Sequence, residues 1–222
     1  MSKRVSKFMD STCVAVRGDE HIVFAAYNTD LDAFYVPSPN TRIRAVSNKT
    51  VMAYAGDQTG GQDLWQQAVK DRTDMYPQYE DEQGNVAYIA NYLFSVLHNS
   101  TIIRNGPLSL VSCIVAGFDV GKSYIYKVDK TKVDVIDKVT AVGYEEHTAQ
   151  NYLNQHCNRT IDELTGIMIA LGSLTSKGQT DVKHIEVGVL SKGQPIRMIS
   201  QNDITDYLCS VPSDSSDEYV IG

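Results

Sequence analysis

Apolar residues recur along this chain with two different periods. From Cys13 to Arg17 and from His21 to Tyr27 they fill two short β-branched runs, and the polar RGDE between them has the composition of a turn, so together they predict a β-hairpin. A second pair follows in TRIRAVSN and TVMAYAGD, with SNK as the turn and Gly56 closing the second strand. From Gln62 to Tyr76 the spacing lengthens: Leu64, Trp65, Ala68, Val69, Arg72, Met75 and Tyr76 fall on or beside one helical stripe. After the loop PQYEDEQG a second helix is predicted from about Val86 to His98, apolar on most of its surface and therefore placed between layers.

Strand patterning returns in GPLSLVSCIVAGFD and in KSYIYKVDKTKVDVIDKVTAVGY, which predicts a second sheet. Two further helices are expected, one from about Glu145 to Gln155 and one opened by TIDE, where Thr160 and Glu163 have capping-box spacing. VKHIEVGVL and PIRMIS read as the last strands, joined through SKGQ, followed by a short NDITDYL helix. The order is strands, two helices, strands, two helices, strands. Two antiparallel sheets face to face, each covered on its outer face by a helix pair, bury all these stripes at once, so the predicted class is α+β, a four-layer αββα sandwich. A parallel α/β fold needs helices alternating singly with strands, which this order lacks.

Composition narrows the function more than the fold. A chain of 222 residues with 42% apolar content supports one substantial core. Residues 1–10 read as a short N-terminal extension, 11–208 as the domain and 209–222 as an acidic, flexible tail. The net charge of −7, with no Lys/Arg cluster beyond MSKR, argues against nucleic acid or an anionic membrane as partner. The N-terminus lacks the apolar core of a secretory signal, and no segment supplies the ~18 uninterrupted apolar residues of a membrane span, so an intracellular soluble protein is expected. Cys13, Cys113, Cys157 and Cys209 form no C-x-x-C pair, and His21, His98, His147, His156 and His184 show no metal-ligand spacing. No cofactor and no metal are expected. GKS at Gly121 to Ser123 lacks the upstream glycine of a phosphate loop and reads as a hairpin turn. Trp65 and the thirteen tyrosines are aromatic in the manner of interface cores, but the sequence does not divide interface from interior.

Five landmarks in order, CVAVRGDEHIVFAA, VMAYAGDQTGG, LVSCIVAGFDVGKSYIYKVD, AVGYEEHTAQNYL and HIEVGVLSKG, resemble the proteasome subunit family from about Ser11 to about Ser200. The resemblance implies the four-layer N-terminal-nucleophile hydrolase fold. With at most ten residues ahead of Ser11, where the α-type branch carries a long helical extension, the expected class is β-type.

Active members of that family are similar in freeing an N-terminal Thr from a Gly-Thr bond, with its amine as base and a Lys and an Asp nearby. Such an amine titrates near about pH 8. By the resemblance Ser11 falls at the nucleophile position, with Thr12 just after it. The residue before it is Asp10 and not Gly, which obstructs the close backbone approach of self-cleavage. Tyr27 falls where the orienting Asp is expected, and Arg42, with Arg44 as the alternative, falls at the Lys position. Arg keeps its proton and cannot relay it. Tyr144 and Glu145 follow Gly143 where a Ser is expected, and Gly178 and Asp181 stand near the later Asp-x-x-Ser position. Gly56, whose N–H matches an oxyanion donor, also reads as a plain turn glycine between strand and helix.

The expectation is therefore a non-catalytic β-type subunit of the proteasome core particle, with no catalytic residue. Its partners would be other α- and β-type subunits in a stacked heteromeric ring complex, with unfolded polypeptide reaching it only indirectly. Cytoplasm and nucleus are the implied locations. Two alternatives stand: a processed peptidase using Ser11, and a binding module working outside the particle.

Overall fold

The computed structural model describes residues 11–28, 41–75, 86–102, 107–157, 161–176 and 181–210. The opening hairpin forms as β1 (Ser11–Arg17) and β2 (His21–Asn28), in antiparallel register with Ser11 opposite Asn28. β3 (Ile43–Ala45) and β4 (Thr50–Gly56) follow, then helices α1 (Gln58–Met75) and α2 (Val86–Ile102). Next come β5 (Val111–Asp119), β6 (Lys122–Val128), β7 (Val133–Ile136) and β8 (Val139–Gly143). Helices α3 (Glu146–His156) and α4 (Glu163–Thr175), strands β9 (Ile185–Ser191) and β10 (Arg197–Met198), and helix α5 (Gln201–Ser210) complete the order.

The strands make two five-stranded antiparallel sheets, β10-β9-β2-β1-β8 and β3-β4-β5-β6-β7. Alternation along β1 and β2 sends Cys13, Ala15, Ile22, Phe24 and Ala26 to a core shared with Ala53, Ala55, Ile114 and Ala116 of the other sheet. The intervening Val14, Val16, Val23 and Ala25 pack against Leu153, Ile167 and Ala170 of α3 and α4. On the far side Met52, Tyr54 and Val115 meet Leu64, Leu93 and Leu97 of α1 and α2. Strands buried on both faces read as near-continuous apolar runs, which is why these hairpins were visible as runs rather than strict alternations. The alanines facing each other across the sheets let the two layers approach closely.

Several boundaries differ from the sequence reading. α1 begins at Gln58 because the Asp57 carboxylate accepts the Gly60 N–H at 2.7 Å and caps the helix earlier than the apolar stripe shows. The first part of GPLSLVSCIVAGFD is a 3₁₀ turn, Pro107–Leu110, and not strand. The TIDE capping box does not open α4: Thr160 lies outside the described residues, Asp162 is the N-cap in extended conformation, and Glu163 pairs with Arg197. PIRMIS yields only the two-residue β10, and α5 runs on through Cys209 to Ser210. Residues 211–222 lie outside the described structure.

The run KSYIYKVDKTKVDVIDKVTAVGY does not stay in one sheet. β6 and β7 belong to the second sheet, and the chain crosses at Asp137 and Lys138 so that β8 pairs with β1. The outer edge of β8 is covered from α3: Gln150 Oε1 accepts the Ala141 N–H at 3.0 Å and its Nε2 donates to the Val139 carbonyl at 3.5 Å. A carboxamide thus takes the place of a neighbouring peptide group on an exposed edge.

Candidate functional site

Ser11 opens β1 and is buried, on the side of the sheet that faces β4. Its Oγ accepts the Gly56 N–H at 2.8 Å. Gly56 has φ +102, and a Cβ there would stand 1.8 Å from the Leu110 carbonyl oxygen, so the backbone that delivers this N–H is open to glycine alone. The end of β8 wraps the backbone of the same residue. Tyr144 N–H donates to the Ser11 carbonyl at 3.0 Å, and Glu145 N–H donates to Thr12 Oγ1 at 3.1 Å. Gly143, at φ +112, would carry a Cβ 2.1 Å from the Ser11 carbonyl oxygen.

Of the two arginines considered for the cation position, Arg42 is the one at the site. It is 0% exposed, and its guanidinium donates to the Gly56 carbonyl at 2.7 Å and to Asn28 Oδ1 at 3.1 Å while lying 5.4 Å from the centroid of the Tyr54 ring. Arg44 points to the helix layer, where it lies over Trp65 at 4.7 Å and donates to the Thr41 carbonyl. Trp65 itself donates to the Ala45 carbonyl at 2.8 Å, so its ring ties α1 to β3. Two residues apart, they would share a face of one continuous strand; Arg42 lies just before β3 begins, outside that alternation, and the two side chains go to different layers.

Tyr27 does not face Arg42. Its ring packs against the helix-side core and edge-on to His184, and the residue opposite Ser11 is Asn28. Asp181 caps the turn Val182–His184 by accepting the Lys183 N–H and pairing with its ammonium at 2.8 Å. Asp10 and Gly178 lie outside the described residues.

Two members of the cluster escaped the sequence reading. Asn28 is the last residue of β2, just past the apolar run His21 to Tyr27, and no sequence pattern singles it out. Glu186 is the lone acid inside the strand IEVGVLS, and a carboxylate in an apolar run is the signal that marks it. Its Oε2 accepts the Arg42 N–H at 2.9 Å. Burial pushes its carboxyl up to about 7, against the opposing pull of the Arg42 and Ile43 N–H groups and the Arg42 and Arg44 charges. Beside it, burial pushes the Cys13 thiol up to about 12, and the protonated Sγ donates to the Tyr54 carbonyl at 3.0 Å.

The arrangement supplies a hydroxyl and an N–H donor, and its buried cation is a guanidinium that keeps its proton. That guanidinium ties β2 to the end of β4 by hydrogen bonds of the charge-assisted kind. Chemically the cluster is a clamp at one end of the sandwich. Among the described residues no group of three or more His, Cys, Asp or Glu could hold a metal ion, and no helix is long and apolar enough to cross a membrane.

Comparison with known proteins agrees with this architecture. A family profile described as "Proteasome subunit" matches residues 9–190. The chain is 20% identical over 211 residues to proteasome subunit alpha type-7-1 of Drosophila melanogaster, covering 94% of this chain and 84% of the relative. It is 24% identical over 172 residues to proteasome subunit alpha type-2 of Dictyostelium discoideum, covering 77% and 74%. With proteasome subunit alpha type-7 of Caenorhabditis elegans the identity is 23% over 185 residues, covering 82% and 73%.

Proposed function

Since the chain belongs to the proteasome subunit family, whose members assemble with other α and β subunits in stacked rings, we propose that it is a non-catalytic subunit of the core particle, helping to wall the chamber for protein degradation. What supports the reading is Arg42, buried and bonded to Gly56 and Asn28, at the position where the family resemblance expects a lysine able to pass a proton. Catalytic groups acting as a unit fail together, so a hydroxyl and an N–H donor without a base do not make a partial peptidase.

The ring position is argued from the relatives, whose α-type names favour an α-type place. They lend no support to the β-type place expected above, which rested on residues 1–10, outside the described structure. A second reading, a β-type subunit, is favoured by one observation: the Ser11 hydroxyl meets the Gly56 N–H at the head of β1.

Cryo-EM of the particle purified through a tag on this chain, with N-terminal sequencing and fluorophosphonate or epoxyketone labelling, tests both. The expected result is an outer-ring position and an unlabelled Ser11. An inner-ring position sinks the α-type reading, and an adduct on Ser11 sinks the non-catalytic one.

A further inference from the structure

At the Ser11 end the two sheets are joined by hydrogen bonds as well as by apolar packing: Gly56 N–H reaches Ser11 Oγ, and Cys13 Sγ reaches the Tyr54 carbonyl. Glu186 makes a further joint. Alternation along β9 sends Ile185, Val187 and Val189 to the helix-side core and Leu190 to the core between the sheets, so the Glu186 side chain faces the other sheet. β3 is an edge strand of that sheet. The Glu186 carboxylate stands where a neighbouring strand's carbonyls would, accepting the Arg42 N–H at 2.9 Å and the Ile43 N–H. Holding Arg42 by its backbone also seats the guanidinium that bonds the Gly56 carbonyl and Asn28 Oδ1. One carboxyl therefore supports the whole clamp.

The charges that face this carboxyl are those of Arg42 and Arg44. From β1 it meets the Cys13 thiol, which burial keeps protonated, and from β2 the apolar Ala26 lies opposite it. The Tyr54 ring of β4 lies 5.4 Å from the Arg42 guanidinium, and His184, in the turn before β9, is directed to the Asn28 carbonyl. Burial pushes the carboxyl up to about 7 against the pull of two N–H groups and both arginines. Ionised, it carries a charge that the gap between the sheets solvates poorly, and opening to water relieves that cost. Neutral, it still accepts through its carbonyl oxygen.

We propose that Glu186 is a proton-operated latch between β9 and β3: the neutral carboxyl keeps the joint shut, and ionisation releases the Arg42 and Ile43 backbone to water, slackening the Arg42 clamp at the Ser11 end. The opening is local, because β4 and β5 behind β3 keep their own ladder. No partner is needed for it, so it operates whichever ring the chain enters.

Amide hydrogen exchange of the full-length chain tests this, resolved at Arg42 and Ile43 by fragmentation in the mass spectrometer and corrected for the intrinsic rise of exchange with pH. A carboxyl that titrates at about 7 in the closed joint and at its ordinary 4.5 once exposed makes opening more frequent as pH rises. Protection at both amides should therefore fall about tenfold from about pH 6 to about pH 8. Val51 and Ile114, in β4 and β5, should exchange far more slowly at either pH, which marks the opening as local. Glu186→Gln keeps the shape and an acceptor without the charge, and its protection at Arg42 and Ile43 should not change with pH. Wild-type protection that is flat or rises with pH, an equal fall in Glu186→Gln, or protection at Arg42 and Ile43 as high as at Val51 and Ile114 overturns the proposal. Should Glu186→Gln not fold, a wild-type pH series decides by itself. Its fall must level off above about pH 7, and one that continues unchanged past about pH 8 belongs to another group and overturns the latch.

Discussion

The two ends of the sandwich handle left-handed backbone in opposite ways. At the Ser11 end, Gly56 and Gly143 take φ +102 and +112 where any Cβ would strike a carbonyl oxygen about 2 Å away, so residue choice and geometry agree. At the β5–β6 turn, Val120 takes φ +47 in open solvent, where the space would accept any residue and the backbone disfavours this one. The first end is over-determined by packing. The second is set by the hairpin register alone, with no close neighbour to fix the residue among the described ones.

Gly143→Ala attacks the packed end most directly and should show the largest effect. A methyl group 2.1 Å from the Ser11 carbonyl oxygen, on a backbone that resists it, is expected to cost about 4 kcal/mol or more. The denaturant midpoint reads this, and a change under about 1 kcal/mol would mean the end is looser than its hydrogen bonds imply. Arg42→Met comes next. It strips the donors from the Gly56 carbonyl and Asn28, for an expected loss of about 3 kcal/mol. Arg42→Lys, offering one ammonium in place of a fork, should lose less and should confer no peptidase activity, measured on fluorogenic peptides.

Ser11→Ala removes the acceptor of the Gly56 N–H and should cost about 1 kcal/mol while leaving the particle's peptidase rates unchanged. A fall in any peptidase rate would return Ser11 to the catalytic column. The gentlest probe is pH. The Glu186 carboxyl is raised from 4.5 to about 7 in the folded chain, so the folded state holds its proton more tightly than the unfolded one. Its stabilising contribution is fully present below about pH 4.5 and is lost as pH rises through 7. Wild type should therefore lose stability relative to Glu186→Gln between pH 5 and pH 8, read as the difference of their melting points. A wild type that gains stability relative to Glu186→Gln as pH rises over that range would reverse the assignment of burial as the dominant cause.

Sequence by itself carried the layer order, because a period of two or an unbroken apolar run, followed by a period of 3.6, is a local property that survives folding unchanged. The β1–β2 hairpin and the start of α2 were legible on that ground, while α2 runs past His98 to Ile102 and, of GKS, only Gly121 lies in the turn, Lys122 and Ser123 pairing as strand.

What only the tertiary structure decided were the pairings across layers. Arg42 and Arg44 look alike two residues apart, but Arg42 lies just before β3 begins, and its guanidinium bonds the Gly56 carbonyl while that of Arg44 lies over Trp65. Asn28 rather than Tyr27 lies opposite Ser11, because strand register and not motif position selects the partner. Glu186 reaches Arg42 from 144 residues away in the chain, and β8 leaves its sequence neighbours for the other sheet. Such contacts have no local period to announce them: they are chosen by which faces two sheets turn toward each other, and that choice exists only once the sheets have met.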